Sequence, residues 1–188
     1  MTSTPSSAAD SSPREPQTIG MVWAQTPGGV IASNGDLPWD VPEDFARFRA
    51  TVRGHGVIMG RATWDSMPPT LQPMPRSHNV VITRNEQWTA AGTDVAPSMT
   101  DAIDLLAAED EIWVMGGGQI YAQGMAFATL LVVSEIDVPE PAGSQLTPAP
   151  DIDPAIWQEL TPQDVAGWRT STTGTRWRIL HYRRSTAS

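Results

Sequence analysis

The chain has no cysteine and no lysine, and these two absences exclude several kinds of chemistry. Without cysteine there are no thiol nucleophiles, thiolate metal ligands or disulfides. All 12 basic residues are arginine, so Schiff-base formation and the lysine of the P-loop are excluded as well. Imidazole groups are limited to His55, His78 and His181, no two of which have metal-ligand spacing. We therefore expect no metal, and acid–base chemistry from a carboxylate, a tyrosine or water.

Excess positive charge and long apolar runs are also missing. The net charge of −9 argues against nucleic acid or an anionic membrane as a partner. No apolar run is long enough to span a bilayer. Hydrophobic residues make up 40% of the 188 residues, which is ordinary for one globular domain with a substantial core.

The chain divides into an extension, one domain and a short tail. Residues 1–18 are rich in serine, proline and threonine, so we predict a disordered extension and not a signal peptide. Residues 19–184 form the predicted domain, and 185–188 form a C-terminal tail. Apolar runs predict strands over 19–25, 55–60, 79–84, 111–115 and 130–137. Helix patterns cover 42–52, 98–109 and 118–125, with loops over 26–40 and 139–154.

The order of these elements indicates the fold class. Strands alternate with helices, and a final antiparallel hairpin over 168–184 turns near Gly174. This order predicts an α/β fold with a central mixed, mostly parallel, twisted sheet flanked by helices and ending in that hairpin.

Three consecutive glycines stand between a predicted strand and a predicted helix in EIWVMGGGQIY, residues 111–121. Glycine is costly in backbone entropy, so three together indicate a backbone that something approaches closely. A helix N-terminus has unpaired N–H groups and a partial positive charge, which suit a phosphate. Tyr121 stands where the dinucleotide fingerprint G-x-G-x-x-G has its third glycine. The stretch therefore indicates either a phosphate site or a tight turn without a ligand.

Charged and hydroxyl side chains follow two further predicted strands. Arg61 and Thr63 come after the strand in VIMGRATW, and Thr83 and Arg84 end the strand in VVITR. A single arginine is often a solvated surface charge, but arginines at the ends of adjacent strands suit a phosphate. Together with the glycines they favour a dinucleotide phosphate site.

The stretch PWDVPEDFARF begins a helix with two acids, Glu43 and Asp44. Acids in a first turn are commonly partners of the helix dipole, which is our interpretation of Glu43. Phe48 lies one turn beyond Asp44 on the same face, and Phe45 flanks it. If that face is inward, the carboxylate lies in an apolar pocket and needs hydrogen-bond donors. A ligand with two adjacent N–H groups would supply them.

Together these stretches resemble the dihydrofolate reductase family, in particular its actinobacterial form, from about residue 19 to 184. The motifs are VWAQ, GDLPWDVPEDFARFR, VIMGRATWDSMP, NVVITR, VMGGGQIY and VSEID, in the family's order. The resemblance implies the family's fold and an oxidoreductase that reduces 7,8-dihydrofolate to tetrahydrofolate with NADPH, in one-carbon metabolism. It also implies a cytoplasmic monomer that binds diaminopyrimidine or pteridine antifolates.

The resemblance assigns the substrate site position by position. Asp44 looks like the carboxylate that binds the pterin 2-amino group and N3, with Ser134 beside it in place of the usual threonine. Leu37 and Trp39 belong to the loop that closes over the nicotinamide, which Tyr121 borders. The other implied substrate contacts are Val22, Trp23, Ala24, Phe48, Arg49, Met67, Arg76 and Met115.

The resemblance also assigns the cofactor site. The three glycines would receive the pyrophosphate, with a cis peptide between Gly116 and Gly117. Arg61, Thr83 and Arg84 would read the ribose 2′-phosphate, which favours NADPH over NADH. The other implied cofactor contacts are Ala24, Ile31, Gly60, Thr63, Gly118, Gln119, Ile120 and Tyr121.

The implied reaction is hydride transfer from nicotinamide C4 to pterin C6, with protonation at N5. Cofactor and substrate supply this chemistry, while the protein supplies alignment and electrostatics. Asp44 is too far from N5 in the family's geometry to protonate it, so water carries the proton. Closure of the loop with Leu37 would exclude bulk water.

One segment departs from the family pattern. The family usually writes its substrate-tail segment as RPLPGR, whose last arginine holds the substrate's α-carboxylate. Here the segment is QPMPRSHN, so Ser77 occupies that position, Arg76 comes one residue early and Gln72 replaces an arginine. Either a local backbone shift lets Arg76 do the same task, or the clamp is lost, at about 1.5–3 kcal/mol for a charged hydrogen bond. Arg49 is a second candidate to compensate.

Two alternatives to the reductase stay open at this point. The pyrimidine reductase of riboflavin synthesis resembles the family in fold and cofactor but lacks the PW…PED…F constellation that is present here. A non-catalytic NADP-binding or drug-sequestering protein would bind the cofactor without turning over a pterin.

Overall fold

The computed structural model describes residues 17–142, 145–164 and 166–185. Nearly all of the predicted N-terminal extension and C-terminal tail therefore lies outside the described residues. The first strand begins at Thr18, one residue earlier than predicted. None of the helices within these ranges is long and apolar enough to cross a membrane.

The elements follow one another along the chain largely as the sequence predicts. The strands are β1 (Thr18–Gln25), β2 (Val30–Ser33), β3 (Gly56–Gly60), β4 (His78–Ile82), β5 (Thr93–Ala96), β6 (Glu111–Val114), β7 (Leu130–Asp137), β8 (Leu146–Pro148), β9 (Trp157–Glu159), β10 (Arg169–Thr170) and β11 (Arg176–Arg184). The helices are α1 (Pro42–Val52), α2 (Arg61–Ser66), α3 (Met99–Leu105) and α4 (Gly118–Gly124), with a 3₁₀ turn at Pro69–Leu71.

The main sheet has the strand order β10-β11-β7-β1-β6-β3-β4-β5, with β9 paired to β11. From β7 to β5 all neighbouring strands are parallel, whereas β11 pairs antiparallel with β7, β9 and β10. The α/β fold with a mixed, mostly parallel sheet and a C-terminal antiparallel hairpin is therefore confirmed. The hairpin turns at Gly174, whose φ of 87° suits glycine.

Both faces of the sheet are buried, as expected for parallel strands between helices. Met21 and Ile58 belong to the core cluster on one face, and Val22 and Val57 to the cluster on the other. Successive residues of a strand point to opposite faces, so continuous apolar strands are needed to fill two layers. This need explains the near-absence of polar residues in the central strands.

Two loop predictions and one helix end were wrong. The predicted loops over 26–40 and 139–154 contain β2 and β8, which pair with each other in a small second sheet. Strands this short have no periodicity of their own, and they form because the two segments meet in space. The predicted helix over 98–109 ends at Leu105, since the chain there turns to enter β6. Its N-terminus is as predicted, because the Ser98 hydroxyl accepts from the Asp101 N–H at 3.2 Å.

The carboxyl ends of β1, β3 and β6 meet at one edge of the sheet. The ladder between β3 and β6 continues past the strand ends, where Met115 N donates to Ile58 O at 2.8 Å and Gly60 N donates to Gly116 O at 2.7 Å. Parallel α/β sheets commonly bind ligands outside the carboxyl ends of their strands. This edge is where the predicted site residues gather.

The start of α1 is tied to the turn between β10 and β11. Glu43 accepts hydrogen bonds from Ser171 Oγ at 2.6 Å and from Thr172 N at 2.8 Å. The sequence interpretation of Glu43 as a dipole partner therefore misses a tertiary contact. These hydrogen bonds, the Ser171 hydroxyl first, lower the pKa of Glu43 from 4.5 to about 2.

We predict that Glu43→Gln loses stability near pH 7 but much less near pH 3. The pKa of the folded state lies below the unfolded value, so the contribution is complete above about pH 4.5 and is lost as the pH falls towards about 2. Urea midpoints of the native chain and the variant at both pH values test this, with the exposed Glu86→Gln as matched control. An equal gap between native chain and variant at both pH values would contradict it.

Candidate active site

One carboxylate, Asp44, is buried where α1 crosses the carboxyl edge of the sheet; the residue is 7% exposed. Its Oδ1 accepts a short hydrogen bond from the Ser134 hydroxyl of β7. Arg47, one turn further along α1, lies with Nη2 3.2 Å from the same oxygen. This face of α1 therefore points inward, which is the condition that the sequence left open. A buried carboxylate needs hydrogen-bond donors, and the protein itself supplies two of them, Ser134 and Arg47.

A cavity of about 510 Å³ opens beside Asp44, between β1, α1, α2 and the end of β6. The other predicted site residues that line it are Val22, Trp23, Ala24, Ile31, Leu37, Trp39, Phe48, Thr63, Met115, Gly117 and Tyr121. Leu37 is 59% exposed at its rim. The cavity is thus mostly apolar with one buried acid, an arrangement suited to a flat heteroaromatic ligand that carries N–H groups.

Tyr121 is fixed by contacts on two sides. Its hydroxyl donates to Val22 O at 2.7 Å, and its ring centroid is 5.5 Å from that of Trp23. Burial raises the pKa of this hydroxyl far above its usual range. Because the hydroxyl keeps its proton and is already bonded, Tyr121 shapes the cavity and cannot act as a base.

The three glycines form a tight turn between β6 and α4. The peptide between Gly116 and Gly117 is cis, as the resemblance implies, and Gly116 has a φ of 109°. A Cβ on Gly116 would lie 2.9 Å from the Tyr121 ring, and one on Gly118 would lie 2.8 Å from Thr147. Bare backbone is therefore required at this turn, whose Gly117 borders the cavity.

The remaining predicted cofactor residues lie around this turn and along the sheet edge. Gly60 and Ile82 are paired across β3 and β4, so Arg61 and Thr83 leave the sheet side by side. Arg61 is paired with Asp65 at 3.4 Å and is half exposed. Arg84 and Gln119 are exposed. Ile120 is buried in the core and packs against Gly60, where a Cβ would lie 2.8 Å from Ile120 Cγ1.

A second cavity, of about 320 Å³, lies on the outer side of α1. Three arginines line it: Arg49 and Arg53 from α1 and its C-terminus, and Arg76 from the departing segment. Arg76 has a φ of 65°. Ser77 donates to Val52 O at 3.0 Å, so its hydroxyl is engaged with the end of α1.

The comparisons with known proteins show which family the chain belongs to. The family model described as dihydrofolate reductase matches residues 18–184. The chain belongs to the dihydrofolate reductase family. It is 41% identical over 169 residues to the dihydrofolate reductase of Mycobacterium tuberculosis (strain H37Rv), covering 89% of this chain and 98% of that one. The Mycobacterium leprae dihydrofolate reductase is 39% identical over 167 residues, with the same shares covered.

Relatives beyond the actinobacteria and a solved structure support the family and its fold. The dihydrofolate reductase of Neisseria meningitidis serogroup B is 41% identical over 154 residues, covering 82% of this chain and 90% of that one. The solved dihydrofolate reductase of Enterococcus faecalis, complexed with NADP(H) and RAB-propyl, gives a TM-score of 0.75 at 23% identity. It covers 90% of this chain and 97% of that one, so the dihydrofolate reductase fold is confirmed.

Sequence reasoning missed two arginines of this reductase. Arg47 borders the large cavity and contacts Asp44, and Arg53 completes the second cavity. The three-residue spacing between Asp44 and Arg47 on one helix was the available signal for the first. Nothing local marks Arg53, because its role depends on where 71–76 folds. Met67 packs against the core on the α1 side and lines neither cavity.

Proposed function

We propose that the cavity beside Asp44 is the place where this dihydrofolate reductase reduces 7,8-dihydrofolate to 5,6,7,8-tetrahydrofolate with NADPH. The reaction and the cofactor are those of the family. The observation that supports this place is the buried carboxylate of Asp44 facing a cavity that is otherwise mostly apolar. A pterin offers the matching edge, a 2-amino group next to N3–H, and a flat ring for the apolar walls.

Asp44 fixes the orientation of the pterin in this proposal. Its Oδ1 is held by Ser134 and Arg47, so the carboxylate cannot rotate and presents Oδ2 to the cavity. Because the carboxylate is already held in one orientation, it loses little conformational entropy when the substrate binds. Holding two bound molecules in a reactive orientation is one way in which a protein raises the rate of their reaction. Phe48 and Val22 provide the apolar walls on either side.

The glycine turn and the neighbouring strand ends fit NADPH. A Cβ at Gly116 or Gly118 would meet another side chain, so the bare backbone is needed there and leaves N–H groups for a pyrophosphate. Arg61, Thr83 and Arg84, at the ends of β3 and β4, would hold the 2′-phosphate and favour NADPH over NADH. The bound cofactor supplies the hydride.

The protein's other tasks are to exclude water and to allow one proton to enter. Leu37 and Trp39 lie on the segment between β2 and α1 at the cavity rim, and Leu37 is exposed enough to fold over a ligand. The Tyr121 hydroxyl is engaged with Val22 O, and the Asp44 Oδ1 atom with Ser134 and Arg47, so we propose that water delivers the proton to N5. The same site would accept diaminopyrimidine or pteridine antifolates, and we propose a cytoplasmic monomer.

The second cavity is our proposed site for the substrate's glutamate tail. Ser77 is engaged with α1, so the family's usual arginine position contributes no charge. Arg49, Arg53 and Arg76 surround one space, and none of them is paired with a carboxylate among the residues that the structure describes. We therefore propose that the clamp is shared among these three arginines.

We predict that Arg76→Ala raises KM for dihydrofolate about two- to fivefold, and that Arg49→Ala with Arg76→Ala raises it at least about tenfold. Each charged hydrogen bond is worth about 1.5–3 kcal/mol at most, and sharing in an open cavity reduces the loss for one arginine. Dihydropteroate, which lacks the glutamate, is the matched control substrate, and its KM should not change. An unchanged KM for dihydrofolate in the double variant would mean that the clamp is lost.

The first test of the function is loss of NADPH absorbance on addition of dihydrofolate, repeated with NADH. We expect turnover with NADPH and much weaker turnover with NADH. Binding of NADPH without turnover would instead support the non-catalytic alternative. Turnover of a pyrimidine substrate alone would support the riboflavin-pathway alternative.

A further inference from the structure

Asp44 is already paired with a positive charge before any ligand binds. Arg47 lies on the same helix, three residues on, with Nη2 3.2 Å and Nε 3.4 Å from Asp44 Oδ1. The same Nη2 donates to Ser134 Oγ at 2.8 Å, and Ser134 in turn donates to Oδ1. The Arg47 side chain is only 20% exposed, and Arg47 lines the large cavity. The pair therefore sits at the floor of the site in a poorly hydrated environment.

The two oxygens of Asp44 are used differently. All the protein donors within the described ranges converge on Oδ1, and none donates to Oδ2. A ligand with two adjacent N–H donors, neutral or charged, reaches Oδ2 freely and shares Oδ1 with Ser134 and Arg47. A ligand that is also positively charged meets the guanidinium of Arg47 in addition.

The charges around Arg47 leave its positive charge largely directed at Asp44. The charge of Arg47 also acts on His181 of β11: burial and the charge of Arg47 both lower the pKa of His181, against a smaller opposing effect of Asp164. His181 is therefore neutral near pH 7 and adds no charge. Asp40 also lines the large cavity, but Arg47 is not paired with it.

From these contacts we infer that Arg47 is a specificity-determining residue that disfavours cationic ligands relative to the neutral pterin substrate. The inference rests on the proposed placement of the pterin at Asp44. A 2,4-diaminopyrimidine binds a lone carboxylate as a protonated cation, with its amino group and ring N–H on the two oxygens. Here that cation meets a carboxylate whose charge is already compensated and a guanidinium a few ångströms away. The pterin ring of dihydrofolate carries no charge, so dihydrofolate loses much less binding free energy to the guanidinium.

The test compares Arg47→Gln and Arg47→Lys with the native chain. The ligands are trimethoprim, a 2,4-diaminopyrimidine, and folic acid, whose pterin is neutral, each titrated by tryptophan fluorescence at about pH 7. We expect Arg47→Gln to raise the ratio of the folic acid Kd to the trimethoprim Kd about tenfold, because loss of the Arg47 contact to Asp44 affects both ligands and loss of the charge favours only the cation. Arg47→Lys keeps the charge, so this ratio should stay near the native value. Arg176→Gln, an exposed arginine at the first residue of β11 and five residues from His181, is the matched control for net charge.

The possible outcomes separate this inference from the proposed function. An unchanged ratio of the two dissociation constants in Arg47→Gln, or an equal change of the ratio in Arg47→Lys, would overturn the charge discrimination, while dihydrofolate turnover by the native chain would leave the proposed function standing. If the native chain neither binds folic acid nor turns over dihydrofolate, both ideas fall together. The NMR titration of His181 verifies that the charge was removed in the folded protein, because its pKa should rise in Arg47→Gln but not in Arg47→Lys.

Discussion

Replacing Asp44 with asparagine is expected to lower kcat/KM for dihydrofolate at least about 100-fold. The amide has the shape of the carboxylate, but it lacks the charge that two pterin N–H donors require. Hydrogen bonds to a charged acceptor contribute about 1.5–3 kcal/mol each, and every 1.4 kcal/mol is tenfold. Among the described residues that line the cavity, Asp44 is the one buried carboxylate, and in our proposal it contacts the pterin ring.

This experiment is informative because the substitution should not unfold the protein. The amide oxygen can still accept from Ser134 and Arg47, which hold Oδ1 in the native chain. NADPH absorbance gives the rate, and circular dichroism and NADPH affinity show whether the fold and the cofactor site persist. Asp137→Asn, a half-exposed carboxylate paired with Arg176, serves as the matched control. Near-native turnover by Asp44→Asn, with fold intact, would place the substrate elsewhere.

Gly116→Ala is expected to weaken NADPH binding at least about tenfold and to cost about 2–5 kcal/mol of stability. Two effects add: a φ of 109° strains a residue with a Cβ, and that Cβ would lie 2.9 Å from the Tyr121 ring. The ring cannot move aside cheaply, because the Tyr121 hydroxyl is bonded to Val22 O and the ring packs on Trp23. The glycine turn must shift instead, and with it the backbone that we propose for the pyrophosphate.

The control variant Gly174→Ala introduces backbone strain without a steric clash. Gly174 has a φ of 87° in the hairpin turn, and a Cβ there would meet nothing within 4 Å. The Gly174→Ala variant should lose about 1–2 kcal/mol of stability, the cost of a left-handed conformation, and should bind NADPH with unchanged affinity. Urea unfolding and fluorescence titration with NADPH measure both quantities. If Gly116→Ala matched Gly174→Ala in both, the Tyr121 ring would not be the fixed wall that the structure shows.

Much of the architecture was predictable because its signals are local. The long apolar strands β1 and β7, the helix α1 that begins with Pro42, and the turn at Gly174 were each predicted within about a residue. The short strands β2 and β8 were not, because four and three residues have too little pattern to distinguish a strand from a loop. They are held by their pairing with each other, which depends on the rest of the fold.

The residues of the candidate site also fall into two groups, those that local sequence signals identify and those that only the fold identifies. Asp44, Phe48 and the three glycines stand out in the sequence, since a helix-opening acid beside aromatic residues and a run of bare backbone each require an explanation. Arg47 did not stand out, because an arginine on a helix is usually a solvated charge. Only the packing of α1 over β7 and β11 brings Ser134 and His181 to the Asp44–Arg47 pair.

The sequence by itself determined the family, the sheet and the types of residue in the site, because strand runs, glycine turns and capping residues act over a few neighbours. The tertiary structure alone decided which charges meet. Ser134 of β7 joins the Asp44–Arg47 pair of α1, and Arg49, Arg53 and Arg76 share one cavity while Ser77 bonds to the end of α1. Electrostatic interactions act through space between residues far apart in the chain, so their partners are fixed only once the elements have packed.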